Sequence, residues 1–195
     1  MSNILRISGG YATSDPHYYH KNILKYQAET RQYADEVAMN EALISRHNAK
    51  VGPNDHVWFL GDFSFGNLER TVYALQRLHG VKHLILGNHD ELIIKNMAIF
   101  REHFASIDTY RELKFKDSDG DDHLMCLFHY PIYEWNRGHH GSFMLHGHSH
   151  GNCKYPWPNQ RRIMDVGVDC HPNNEPFSFE EIAQALKKRP VIKHH

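Results

Sequence analysis

Three scarcities narrow what this 195-residue chain can be. Cysteine is rare and scattered: Cys126, Cys153 and Cys170 form no Cys-x-x-Cys pair. That spacing argues against a disulfide framework and against a thiolate zinc knuckle. Buried small hydrophobes or idle thiols are the simpler reading. Long apolar runs are missing too, so no stretch suits a membrane span. The N-terminal residues lack the charged-then-apolar pattern of a secretory leader. The expectation is a cytoplasmic chain with no membrane partner. Net charge is −1 with histidine neutral, which leaves no global basic field to capture nucleic acid. The run Lys187-Lys188-Arg189 reads as a solvated helix end, where cations complement the helix dipole.

Histidine is the excess, with 18 residues. His194-His195 read as a trailing end; they, with His103, His123 and His171, carry no expected role. The others gather mainly where strands are expected to run out. The length fits one domain, residues 1–195, with a sizeable core.

Periodicity sketches the elements. Ile4 to Ser8 and Tyr11 to Ser14 are short strand-like pieces split by Gly9-Gly10. A helical pattern runs from about His20 to His47 and stops at the turn Gly52-Pro53-Asn54-Asp55. Val57 to Leu60 and His83 to Leu86 are compact apolar strands flanking an amphipathic helix, Leu68 to Leu78, closed by Gly80. Glu91 to Phe104 reads as one helix. Strands follow at Tyr110 to Lys116 and His123 to His129, around an acidic turn, Asp117 to Asp122. That turn fails as an EF-hand loop, because position six would be Asp122 and position twelve Phe128. A hairpin is expected. Ser142 to Leu145 and Arg162 to Val168 are further strands, and Ser178-Phe179-Glu180-Glu181 is a capping box opening a last helix to about Lys188. Helices alternate with strands first and strands dominate later, which predicts an α/β domain of two packed sheets with helices outside.

Five clusters sit just past strand ends. They are Ser14-Asp15-Pro16-His17, Leu60-Gly61-Asp62-Phe63, Leu86-Gly87-Asn88-His89-Asp90, Phe128-His129-Tyr130-Pro131 and Gly147-His148-Ser149-His150. In the last, alternation sends His148 and His150 to one side of an extended segment, and imidazole is the commonest metal ligand among side chains. The interval from Asp62 to Asn88 is the length of a strand-helix-strand unit, which returns the chain to the same edge, where open α/β sheets bind ligands. Any one cluster alone is weak, since Asp-x-His and Gly-Asp pairs are common at turns. All five together point to a metal centre. Asp90 begins the Glu91 helix and is expected to cap it. His146 is assigned no metal. His20, Tyr130, Trp135, Arg137, His139 and His140 flank the clusters; His20, Arg137, His139 and His140 are candidate substrate contacts or plain exposed polar residues.

In this order, the clusters resemble the calcineurin-like metallophosphoesterase superfamily. Asp15-Pro16-His17 with His20-Lys21-Asn22-Ile23, Gly61-Asp62-Phe63-Ser64-Phe65-Gly66, and the closing Val166-Gly167-Val168-Asp169 are similar to its small bacterial and phage phosphoesterases. The resemblance implies a four-layer α/β/β/α sandwich of two mixed sheets with flanking helices. It implies that Asp15, His17 and His150 hold one metal, that Asn88, His129 and His148 hold the other, and that Asp62 bridges them. It makes His89, with Asp62, a catalytic residue, His89 touching the scissile phosphate as candidate general acid. The Gly-Asp motif lacks the Asp-Arg-Gly continuation of the Ser/Thr protein phosphatases, which argues against that role.

The implied activity is hydrolysis of a small phosphate ester, mono- or diester, by in-line attack of a metal-bridging hydroxide. Mixed imidazole and carboxylate ligands suit two divalent transition-metal ions, Mn²⁺ first, with Fe, Zn, Co or Ni as options. A nuclease acting on DNA or RNA is the rival enzyme, with nucleic acid not indicated by charge. A non-catalytic metal-binding scaffold is the rival of another class. Oligomeric state is left open.

Overall fold

The computed structural model describes residues 4–154 and 161–191. Among the described residues ten strands form two five-stranded sheets. One sheet carries the parallel run β2 (Tyr11–Thr13), β3 (His56–Phe59), β4 (Val81–Ile85) and β5 (Ser106–Asp108), with β10 (Phe177–Ser178) antiparallel on β2. The other has the order β1 (Leu5–Ile7), β6 (Tyr110–Lys116), β7 (Asp122–Phe128), β8 (Phe143–His146), β9 (Ile163–Asp165). Only β6 and β7 are antiparallel there, forming the expected hairpin. The result is an α/β sandwich of two mixed sheets with flanking helices, as the sequence predicts.

Alternation along each strand sorts the core. Met125, Leu127, Phe143 and Leu145 turn inward to meet Trp58, Leu60 and Ile85 from the facing sheet. Cys126 and Met144 point the other way and are covered by Trp135 and Ile132. The helices α2 (Glu36–Lys50) and α3 (Leu68–Arg77) bury Met39, Leu43, Ile44, Ala74 and Leu75 against Val57 and Phe59. The last helix, α6 (Phe179–Leu186), starts at the capping box of Ser178 and Glu181 and packs Ile182, Ala183 and Leu186 into the inter-sheet core.

The expected helix from His20 to His47 is broken. A single turn, α1 (Ile23–Tyr26), is followed by irregular chain, and α2 restarts where Asp35 accepts a hydrogen bond from the Ala38 N–H. Tertiary bonds win over helical periodicity because Arg31, in the gap, sends its side chain inward. The Glu91 helix also splits, into α4 (Glu91–Lys95) and α5 (Met97–Phe100), at Asn96, whose side chain bonds back to the Leu92 carbonyl. β5 and β10 escape sequence reading because two or three residues carry no period. His194-His195 lie outside the described residues.

Two buried histidines away from the strand ends tie stability to pH. Burial pushes His47 down to about 4, though its ring bonds to the His79 carbonyl at 3.0 Å. Burial, then the neighbouring His56, pushes His83 down to about 4, where it lies flat against Trp58. With folded values below the unfolded one, the unfolded chain takes up these protons first, so their contribution is lost as pH falls from about 6.5 to about 4. His47→Gln keeps a donor for the carbonyl and removes the titration. Its melting temperature should fall less between pH 7 and pH 4 than that of the wild type; parallel falls would contradict this account.

Candidate metal centre

The five clusters converge at one edge. β2, β3 and β4 run out two or three residues before Asp15, Asp62 and Asn88, and β7 and β8 one or two residues before His129 and His148, so both sheets present C-terminal strand ends to the same seam. Backbone bonds stitch the seam: Asp15 N donates to the Gly61 carbonyl (3.0 Å), Gly147 N to His129 (2.9 Å) and Val168 N to Ser14 (2.9 Å).

Two groups of ligand-type atoms result. Asp15, His17 and His150 form one, and Asp62, His129 and His148 the other; within each, one ligand atom per residue lies within 4.8 Å of the rest. Asp62 faces both. One of its oxygens is 3.6 Å from His17 Nε2, the other 3.6 Å from His129 Nε2. Asn88 Oδ1 is 2.9 Å from His129 Nε2, so all seven expected ligands are at the site. Asp15, His17, Asp62 and His129 make a buried floor; Asn88, His89 and His148 form an exposed mouth.

Several atoms here are set up for a cation. Asp15 Oδ1 and His17 Nε2 are buried with no hydrogen-bond partner, 3.9 Å apart. A carbonyl only accepts, so the 2.6 Å contact to Leu60 O puts the proton of His129 on Nδ1 and leaves the Nε2 lone pair at Asp62 and Asn88. Asp169 does the same for His150, accepting from Nδ1 at 2.7 Å. His20 Nδ1 lies 3.0 Å from His17 Nδ1, which makes it a partner of a ligand-type histidine. Mixed carboxylate, imidazole and amide donors of this kind fit divalent transition metals.

The electrostatics agree. Burial raises Asp15 to about 8, despite His150 and Ser14 pulling the other way. Burial likewise pushes His17 down to about 4. For Asp62 burial is outweighed by His17, His129 and the His89 N–H, which hold it below the ordinary carboxylate range. For His150 burial is outweighed by Asp169 and Asp15, which raise it, so it is the Asp15–His17 corner that resists both a negative charge and a protonated imidazole, and a cation relieves that corner.

Backbone strain marks the same residues. Asp15, His17, Asp62, His148 and His150 all have left-handed φ, from 47° to 66°. Such conformations cost of order 1 kcal/mol or more each and persist only where the surroundings over-determine them. Two glycines permit the crowding. A Cβ on Gly87 would overlap the Asp62 carboxylate, and one on Gly147 would overlap Ser14 and Asp15.

Asp90 corrects an expectation. It occupies the N-cap position of α4 but its side chain makes no cap bond. Instead its carboxylate accepts from Gly87 N (2.8 Å), Phe63 N (2.9 Å) and Asp62 N (3.0 Å), clamping the second and third motif loops together. Asp165 clamps the last loop, accepting from Ser149 Oγ, Gly151 N and Gly167 N. Arg31, Asp165 and Asp169 had no role in the sequence reading; the Gly-Val-Asp motif was a signal for Asp169, and nothing marked Arg31.

The remaining flanking residues divide. His89 donates its backbone N–H to Asp62 at 2.8 Å, and its ring sits beside Phe65, outside both ligand groups. Tyr130 packs edge-on to His129 and His148. His146 is buried and bonds the Gly147 carbonyl, away from the ligand groups. Arg137, His139 and His140 lie on an exposed turn at Gly138–His140, and Trp135 is buried beneath it, bonded to Ser142 O. A third acidic group, Asp117, Asp121 and His123, has its Asp117 carboxylate already paired with Lys187 and His123.

No family model matches the chain. It is 31% identical to the uncharacterized protein MJ1445 of Methanocaldococcus jannaschii over 188 residues, 94% of each chain, and it belongs to the same family. It is 29% identical to the gene 66 protein of Mycobacterium phage L5, covering 84% of this chain and 87% of that one. The crystal structure of AQ665, a protein of unknown function from Aquifex aeolicus, shares the fold: the TM-score is 0.67 at 23% identity, over 91% of this chain and 99% of that one.

The Asp90 clamp is testable. Asp90→Ala strands two buried N–H groups and one half-buried one, and should cost roughly 2 kcal/mol or more in urea unfolding. A loss of about 1 kcal/mol or less is what an ordinary N-cap would give and would restore the capping role.

Proposed function

We propose that this chain is a two-metal phosphoesterase that hydrolyses small phosphate esters. The observation that carries the reading is Asp62, whose two oxygens each stand 3.6 Å from an imidazole of a different ligand group. One carboxylate shared in this way suits a pair of ions about 3.5–4 Å apart. Asp15, His17 and His150 would hold one ion, Asn88, His129 and His148 the other, with Asp62 between. Such ions, when bound, supply a water that ionises near neutral pH and positive charge opposite the phosphate oxygens.

The chain's own groups do the rest. The clamps of Asp90 and Asp165 fix the ligand loops before substrate arrives, which spares reorganisation during reaction. The exposed mouth at Asn88, His89 and His148 admits the ester. His89, held to Asp62 by its backbone with its exposed ring beside Phe65, is the group to hand a proton to the leaving oxygen. Arg31, a guanidinium buried beside Asp15, has its donors spent on Asp169, Asp15 and Pro16, so it cannot pair with a dianionic monoester. With Arg137, on an exposed turn, as the one candidate the sequence offers against a dianion, and with the family resemblance, diesters should turn over at least as well as monoesters. No described helix is long and apolar enough to cross a membrane. The free thiols of Cys126 and Cys170 suit a cytoplasmic enzyme.

The test is hydrolysis of bis-p-nitrophenyl phosphate and p-nitrophenyl phosphate with added Mn²⁺, alongside metal analysis. The expected result is about two ions per chain and turnover of the diester, both abolished or nearly so in Asp62→Ala. No turnover with Mn²⁺, Fe²⁺, Co²⁺, Ni²⁺ or Zn²⁺, or one ion at saturation, would overturn the reading.

His89→Gln separates chemistry from metal binding. It should keep both ions while lowering turnover roughly 10²–10⁴-fold, with a larger loss for an alkoxide leaving group than for nitrophenolate. Lost metal would make His89 a ligand; equal losses on both substrates would make it a phosphate contact.

A further inference from the structure

Arg31 stands outside all five clusters, in the irregular chain between α1 and α2, yet it is only 2% exposed. Its Nε and Nη2 each donate to one oxygen of Asp169, both at 2.8 Å. Nη2 also donates to the Asp15 carbonyl (2.6 Å), and Nη1 to the Pro16 carbonyl (2.8 Å). Asp169 in turn accepts from Thr30 Oγ1 and from His150 Nδ1, both at 2.7 Å. One planar fork thus joins the backbone of the first motif to the carboxylate that orients the last.

We propose that Arg31 and Asp169 form a positioning unit for the Asp15–His17–His150 subsite alone. The proposal rests on the two-metal reading for the ligand roles of those three residues. Three arguments carry it. Asp15 and His17 hold left-handed φ of 53° and 51°, and Arg31 ties down the two carbonyls between them. A histidine that gives Nδ1–H to a carboxylate is locked in tautomer and made a better Nε2 ligand, an effect worth roughly 10–100-fold in metal affinity when removed. A guanidinium beside a cation site would repel the ion, and the bidentate Asp169 cancels that charge. The other subsite is built differently: His129 is oriented by the Leu60 carbonyl, and neither Arg31 nor Asp169 hydrogen-bonds Asn88, His129 or His148. Lysine cannot replace the fork, because it is a point charge without paired planar donors.

The experiment uses the full chain as wild type, Arg31→Met, Arg31→Lys and Asp169→Asn, with thermal melting to establish folding. Zn²⁺ is titrated while ring ¹⁵N signals of the assigned histidines are followed. In wild type all four ligand histidines should respond with two ions bound. In Arg31→Met and Asp169→Asn, His129 and His148 should bind as before, while the response of His17 and His150 moves to roughly 10–100-fold higher Zn²⁺. In the metal-free protein, at a pH high enough for the ring to be neutral, His150 should be a single Nδ1–H tautomer, and a mixture in the variants. Arg31→Lys should lie between wild type and Arg31→Met, and takes its place if Arg31→Met does not fold.

Folded variants that keep wild-type affinity at both subsites would overturn the proposal, as would an equal loss at both, or an unchanged His150 tautomer. If wild type binds no Zn²⁺, the two-metal reading fails by itself, and the metal-free tautomer then decides whether the unit orients His150.

Discussion

Asp62 sits in a left-handed turn, buried, with one oxygen toward His17 and the other toward His129. That posture is unfavourable in backbone and in desolvation, and His17, His129 and the His89 N–H outweigh the desolvation. It persists because neighbouring groups leave no alternative. Gly87 allows the carboxylate to approach within a distance any side chain would block, Asp90 holds the backbone on either side, and the His89 N–H fixes one oxygen. The same logic recurs at Asp15, with Gly147 as the yielding neighbour and Arg31 as the clamp. Strain at ligand positions is offset by a surrounding layer of buried carboxylates and one buried guanidinium.

The sandwich supplies the frame for this. Parallel strands from both sheets end at one seam, so loops far apart in sequence meet without long excursions. The bridge between Ser14 and Gly167 and the bond from His148 N to Asp15 lock the two sheets together at the centre itself. The strands that carry the inter-sheet core of Trp58, Leu127 and Leu145 are the ones whose ends lead into the ligand loops.

Much of this was legible beforehand, for identifiable reasons. Short apolar strands ending in Gly-Asp, Gly-Asn-His or Gly-His-x-His carry both a period and a chemical signal, so the five clusters are visible in the sequence, while the choice of seven ligand-type residues within them comes from the family resemblance. The hairpin at Asp117 and the capping box at Ser178 were readable because turn chemistry is local. The misses are tertiary. Arg31 looks like any helical surface arginine until a distant carboxylate, Asp169, draws it inward and breaks the helix around it. Asp90 has the position of a cap, but three N–H groups from two loops outbid the helix end. β5 and β10 are strands only because a neighbour pairs with them.

The account stands on two ions flanking one carboxylate, and diffraction reads that directly. Crystals grown with Mn²⁺ and measured at the manganese edge should show two anomalous peaks per chain, one among Asp15, His17 and His150 and one among Asn88, His129 and His148, with the Asp62 carboxylate between them. A single peak at saturating Mn²⁺, or two peaks with Asp62 turned away from either, would contradict it.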